Sequence, residues 1–212
     1  MTQCFLKQLS QFKSVFKNKG LFITGTDTDV GKTVFTWQLA KYLKSIGEKV
    51  IIFKPVECEP SGQKDSDFYK RMLGLDSCEC LYSFDRPVSP HCEVRSTGIK
   101  IDLDKICDTY QGLISQYDYV IVEGAGGIFC PLGEDVFMLD LISRLQLPNI
   151  VVLKNRVGCL NHTLLSVVAL QSRNLLATGL VVNGDDNLEN IQDVSCLSKV
   201  PVLAVMPEIS II

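Results

Sequence analysis

A lysine and a threonine set directly after a glycine, at the end of a run of small residues, can hold a phosphate chain. Residues 24–33 read Thr-Gly-Thr-Asp-Thr-Asp-Val-Gly-Lys-Thr, straight after the apolar Leu21-Phe22-Ile23. A strand that breaks into such a loop and then a helix gathers backbone N–H groups into one concavity. Lys32 adds a mobile positive charge for β- and γ-phosphates, and the Thr33 hydroxyl suits Mg²⁺. Val34, Trp37, Leu39, Ala40 and Leu43 supply the apolar spacing of the helix that must follow. The expectation is a nucleoside triphosphate site. Its spacing is unusual: Thr26 stands where the first glycine of G-x-x-x-x-G-K-[ST] belongs, and Gly25 comes one residue early.

Further residues of chemical interest follow apolar runs. Lys54 comes after Phe53 and before Pro55, which reads equally as an ammonium aimed into a crevice or as a solvated lysine. Asp65-Ser66-Asp67 offers either a helix cap or a carboxylate for the Mg²⁺ that Thr33 implies. Glu123 ends a strand pattern and precedes Gly124-Ala125-Gly126-Gly127, the position of a second acidic magnesium contact beside glycines that admit a phosphate. Gly158-Cys159-Leu160-Asn161-His162 enters a helix and presents free N–H groups suited to a carboxylate. Asn183-Gly184 is either a turn or an amide placed against a purine edge.

The elements that must position these residues alternate. Apolar runs near 21–25, 50–54, 119–123, 149–153, 179–182 and 201–205 read as strands. Helical patterns fall near 32–46, 65–73, 102–116, 135–145 and 161–174. That alternation predicts a single α/β domain with a mostly parallel sheet flanked by helices. Continuous apolar runs fit strands covered on both faces, and ligands then gather beyond their carboxyl ends. Residues 57–64 read as the most polar loop.

Composition narrows the function classes. With 21 Lys and Arg against 24 Asp and Glu, the net charge of −3 gives no footprint for nucleic acid. No run approaches the roughly 18 apolar residues of a membrane span. The nine cysteines are scattered, with no C-x-x-C pair, and read as free thiols in a reducing cytoplasm. Residues 1–19 are basic, lack acids and carry a roughly helical apolar stripe. They are expected to form an extension, a short helix packed on the domain at 20–212 or on a partner subunit.

Together these pieces resemble the dethiobiotin synthetase family. The likeness is carried by residues 25–33, Lys54-Pro55-Val56, Ser66-Asp67, Ser89-Pro90-His91, 122–127, 158–162 and Val182-Asn183, in family order. The longer phosphate loop is itself a family feature. The resemblance implies a P-loop NTPase fold and an ATP- and Mg²⁺-dependent closure of a cyclic urea from 7,8-diaminononanoate and CO₂. It implies that Lys32 and Lys54 are catalytic, and that Thr33, Asp67 and Glu123 bind Mg²⁺. Nucleotide would be held by Asp29, Val30, Gly31, Lys32, Thr33, Val34, Asp67, Glu123, Gly124, Ala125, Gly126, Asn183, Gly184, Pro207, Glu208 and Ile209. Substrate would meet Thr28 and Cys58, and Gly158, Cys159, Leu160 and Asn161 from the other subunit of a homodimer. Cys58 departs from the family's usual Ser or Thr. The rival reading is a P-loop ATPase switch of the partitioning or metal-insertion type, but the Lys-Gly-Gly opening of such loops is missing at Gly25-Thr26-Asp27.

Overall fold

Along strand β1 (Gly20–Gly25) successive side chains turn to opposite faces. Phe22 joins one buried cluster, while Leu21 and Ile23 join another. The same division runs through β4 (Tyr119–Gly127) and β5 (Asn149–Lys154), where Val122 and Leu153 oppose Ile121 and Val152. With β2 (Val50–Cys58), β3 (Cys78–Phe84), β6 (Ala177–Asn183) and β7 (Val202–Met206), these strands form one sheet ordered β3-β2-β4-β1-β5-β6-β7. Every neighbouring pair is parallel. The computed structural model describes residues 3–184 and 187–207.

Helices cover both faces. Helices α1 (Gln3–Ser10), α2 (Lys32–Ser45) and α3 (Asp65–Leu73) bury Leu9, Phe35 and Tyr69 in the cluster that holds Ile23. On the other side, α5 (Leu103–Gln116), α6 (Met138–Leu145), α7 (Cys159–Gln171) and α8 (Leu188–Ser198) contribute Ile106, Leu141, Leu170 and Val194. The short α4 (Pro90–Thr97) packs near β2. This is the expected parallel α/β domain, with three elements added. Strand β3 and helices α4 and α8 have no strong apolar run, and β2 continues through Glu57 into the stretch read as loop.

The amino-terminal segment packs on the domain, more deeply than a surface helix. Phe5, Leu9 and Phe12 are buried, with Phe12 in a 3-10 turn at Gln11–Ser14. Gln8 Oε1 accepts the Val205 N–H at 3.1 Å, and Gln11 Nε2 donates to the Leu203 carbonyl at 2.5 Å. Two glutamine side chains thus meet the backbone of the sheet's last strand, where an open edge otherwise invites pairing. Among the described residues, no helix is long and apolar enough to cross a membrane.

Candidate active site

The loop between β1 and α2 folds on itself. The Asp27 carbonyl accepts Lys32 Nζ at 2.8 Å, and Thr26 N–H donates to the Val152 carbonyl at 2.9 Å. The unusual spacing is accommodated at Asp29, whose φ of 56° lies in the left-handed region that aspartate tolerates better than most residues. Gly31 follows at φ 102°, and a Cβ there would meet Asn183 Nδ2 at 2.5 Å. Lys32 is buried, and burial together with the nearby Lys54 charge lowers its pKa from the usual lysine value.

Beyond the strand ends lies a crevice of about 1040 Å³. Thr28, Asp29, Gly31, Lys32, Thr33, Val34, Lys54, Cys58, Ala125, Gly126 and Asn183 border it. At its floor Thr33 Oγ1 donates to Asp65 Oδ1 at 2.8 Å and lies 3.4 Å from Glu123 Oε1. Lys54 Nζ bridges the same acids, 2.5 Å from Asp65 Oδ2 and 2.8 Å from Glu123 Oε1. Burial alone would depress the Lys54 pKa. The combined attraction of Asp65 and Glu123 outweighs it and holds the ammonium well above its ordinary value. Lys54 is therefore a permanent, buried positive charge, not a solvated strand-end lysine.

The acid that α3 brings to Thr33 is Asp65, not Asp67. A helix turns about 100° per residue, so two positions point about 200° apart. Asp67 is exposed and does not border the crevice, which corrects its expected place in the magnesium and nucleotide sets. Burial favours the neutral Asp65, but Lys54 and the Thr33 hydroxyl prevail and lower its pKa. Two further acids missed from the sequence hold this helix start in place. Glu59 Oε2 accepts the Asp65 N–H at 3.1 Å, and Glu57 accepts the Ser66 N–H at 3.0 Å and its hydroxyl at 2.7 Å. Glu57 lies near the end of β2, nearly sealed from water, and Glu59 just beyond it; the polar look of residues 57–64 hides both.

Thr33 Oγ1, Asp65 Oδ1 and Glu123 Oε1 are hard oxygen donors gathered in one place, and this set fits Mg²⁺. Among the described residues, no three His, Cys, Asp or Glu side chains gather to hold a metal by themselves. The donors therefore suit an ion that takes its remaining ligands from phosphates and water.

Val30 is buried beneath the loop, its carbonyl accepting Asn183 Nδ2 at 3.1 Å, and Gly124 packs against Phe22 and Met138. Gly184 N–H donates to the Met206 carbonyl at 2.9 Å, which leads into Pro207 at the end of β7. Gly158 and Asn161 are exposed, Cys159 is buried and Leu160 half-buried, and none borders this chain's own crevice. Glu208 and Ile209 lie outside the described residues. Cys58 does reach the crevice. Burial, with Glu93 nearby, pushes its thiol up to about 12, so it is a neutral, weak donor.

A family model described as "AAA domain" matches residues 19–212. The curated "ATP-dependent dethiobiotin synthetase BioD" of Bacillus cereus is 34% identical over 202 residues, covering 89% of this chain and 83% of that protein. The protein of the same name from Anoxybacillus flavithermus is 34% identical, covering 91% and 93% of the two chains. That from Lysinibacillus sphaericus is 38% identical, covering 81% and 78%. Among solved structures, a ParA family ATPase from Chlorobium tepidum superposes with a TM-score of 0.62 at 14% identity, over 91% of this chain and 86% of the other. The septum site-determining protein MinD of Pyrococcus horikoshii gives 0.61 at 20% identity, over 90% and 82%. At those identities the shared feature is the fold, while the curated relatives carry the closer kinship. The chain belongs to the dethiobiotin synthetase family.

Proposed function

We propose that this protein is an ATP- and Mg²⁺-dependent cyclo-ligase that makes dethiobiotin from 7,8-diaminononanoate and CO₂, releasing ADP and phosphate. The observation that carries this reading is the buried Lys54 ammonium, fixed 2.5 Å from Asp65 and 2.8 Å from Glu123 beside the Thr33 hydroxyl. A neutral amine of the substrate adds to CO₂ and loses a proton, giving a carbamate. A carbamate oxygen attacks the γ-phosphorus, and the bond to ADP breaks. The second amine then attacks the carbamoyl carbon, phosphate leaves with its electron pair, and a second proton is lost as the ring closes.

Negative charge moves through each step, so positioning and charge neutralisation dominate. Lys32 holds β- and γ-phosphates, and Lys54 faces the carbamate and the transferring phosphoryl group. Thr33, Asp65 and Glu123 would hold Mg²⁺, which would supply charge neutralisation for the phosphates. Asn183 donates its Nδ2 to Val30, which leaves its carbonyl oxygen for the amino group of adenine. The protein acts as a cytoplasmic homodimer, with the α7 start of one subunit receiving the substrate carboxylate of the other. It needs neither nucleic acid nor membrane.

The test is phosphate release from MgATP with bicarbonate, with and without the diamine, with dethiobiotin followed by mass spectrometry. Release that requires the diamine and matches product one for one is expected. Slow release indifferent to the diamine would overturn the ligase reading in favour of an ATPase switch.

A further inference from the structure

Glu123 lies midway along β4 with no exposed surface, and its two oxygens have different neighbours. Oε1 faces Lys54 and Thr33, the side on which Asp65 also lies. Oε2 accepts a short hydrogen bond from the Tyr69 hydroxyl. Tyr69 stands four residues after Asp65 on α3, so both project from one face of that helix. Its ring is fully buried, packed edge-on against Phe68 at 5.7 Å between centroids, and its own carbonyl accepts the Ser77 hydroxyl at 3.0 Å. One helix therefore supplies an acid to the cluster and, one turn later, a donor that fixes the other acid.

We propose that Tyr69 is a positioning residue: by occupying Glu123 Oε2 it presents only Oε1 to a bound cation and so favours Mg²⁺ over Ca²⁺. Magnesium demands near-ideal octahedral geometry and is served by single carboxylate oxygens. Calcium accepts more ligands and takes carboxylates through both oxygens. A carboxylate pinned at one oxygen cannot swing to offer two. Partners of metal-binding carboxylates that do not themselves touch the ion commonly change affinity by about 10–100-fold when removed. Nothing in the phosphate-loop motif marks this tyrosine. It becomes visible only because Asp65, and not Asp67, faces inward.

The inference rests on the cation site proposed above, and one experiment separates the two. Affinity for ADP is measured by calorimetry at fixed Mg²⁺, at fixed Ca²⁺ and with EDTA, for the wild type, Tyr69→Phe, Glu123→Gln and the double variant. Tyr69→Phe removes the hydroxyl and keeps the ring. It is expected to weaken Mg²⁺-supported binding about tenfold while Ca²⁺-supported binding changes much less, shifting the ratio about tenfold. In the Glu123→Gln background the same substitution is expected to shift nothing further. An unchanged ratio in Tyr69→Phe, with or without a lower Tm, overturns the inference, as does a full shift in the Glu123→Gln background. Should Tyr69→Phe not fold, Tyr69→Met supplies the same comparison without a donor. If Glu123→Gln leaves metal dependence untouched, the cation site itself is wrong.

Discussion

Helices α2 and α7 both begin at a glycine in the left-handed region, Gly31 at φ 102° and Gly158 at φ 94°, and neither has a side-chain cap. Each leaves N–H groups of its first turn without a helical partner, a geometry suited to an anion, although at α7 the Cys159 N–H already donates to the Arg156 carbonyl at 3.0 Å. Their surroundings differ. At α2 the loop wraps back, Lys32 and Thr33 stand at the start, and Asn183 fills the space where a Gly31 side chain would go. At α7, Val157 is fully exposed, Asn161 and His162 face solvent, and a Cβ on Gly158 would meet only His162 Cε1, at 3.9 Å. The same backbone device is complete within this chain at one place and open at the other. Arg156 pairs with Asp27 at 3.6 Å, tying the α7 approach to the phosphate loop. The contrast supports the proposal that the first holds nucleotide and the second receives a substrate carboxylate across a dimer.

The strongest blow to the completed site is Lys54→Ala. Loss of one preorganised charge that faces the reacting groups commonly costs about 10²–10³ in kcat. Turnover is expected to fall by about that much, with ADP affinity changed less than about threefold. The variant also leaves Asp65 and Glu123 without their counter-ion, so its Tm should fall, and added Mg²⁺ should restore more of it than in the wild type. Normal turnover would remove Lys54 from the chemistry. Next comes the pair that addresses the comparison directly. Gly31→Val enforces a strained backbone and strikes Asn183, so nucleotide affinity should drop by about 10–100-fold. Gly158→Val meets only the backbone strain, and its expected effect is a several-fold rise in KM for the diamine with nucleotide affinity unchanged. Equal losses of nucleotide affinity in both variants would break the division between the two helix starts.

Much of the completed site was legible because its chemistry is local. Gly31, Lys32 and Thr33 are adjacent, and β1 and α2 on either side have clear periods. Lys54 and Glu123 were legible as residues that directly follow continuous apolar runs, within strands that go on past them. What escaped depends on helix phase and on partners distant in the chain. Asp65 and Asp67 differ by about 200° around α3, and the sequence pair Ser-Asp favoured the wrong one. The inward phase was written in Ser66, Tyr69 and Leu73, of which Ser66 and Tyr69 are buried, a pattern too short to stand out among charges. Strand β3 escaped because it is an edge strand with Glu79 and Ser83 exposed, so its run never becomes continuously apolar. Glu57 escaped for the opposite reason: a charged residue was read as loop, although Ser66 and Ser83 bury it in hydrogen bonds.

The open start of α7 can be tested by its neighbours. Val157, Leu165 and Val168 are exposed on or beside α7, and Phe129 is exposed nearby across a small cleft shared with Leu165. A second copy seated there would cover them, and a charge placed among them would be desolvated. Leu165→Asp should shift sedimentation from dimer toward monomer and raise KM for the diamine by several-fold, while ADP affinity holds. A wild type that sediments as a monomer, with the diamine bound normally, would leave the α7 start without its proposed role.

The smallest expected effect concerns a third helix start, that of α3, whose first N–H groups are already taken by Glu59 and Glu57. It is closed to ligands by acids of its own chain, and so marks the other extreme of the comparison. Burial, reinforced by the Asp65 carboxylate, raises the Glu59 pKa to about 7 from an ordinary 4.5, although Lys54 and the Asp65 N–H pull the other way. The folded protein therefore holds this proton more tightly than the unfolded chain. The stability that follows is complete below about pH 4.5 and is lost as pH rises toward 7. Asp65, with its lowered pKa, works in the opposite direction and in a lower window, losing its contribution as pH falls below the ordinary carboxylate range. Glu59→Gln keeps an oxygen for the Asp65 N–H and removes the titration. Measured in EDTA from pH 5 to 7.5, the Tm of the variant relative to wild type should climb on the order of 2 °C. A difference that stays constant across that range would mean that Glu59 titrates as an ordinary surface acid, and that the α3 start is closed by hydrogen bonding without the strain of a half-buried charge.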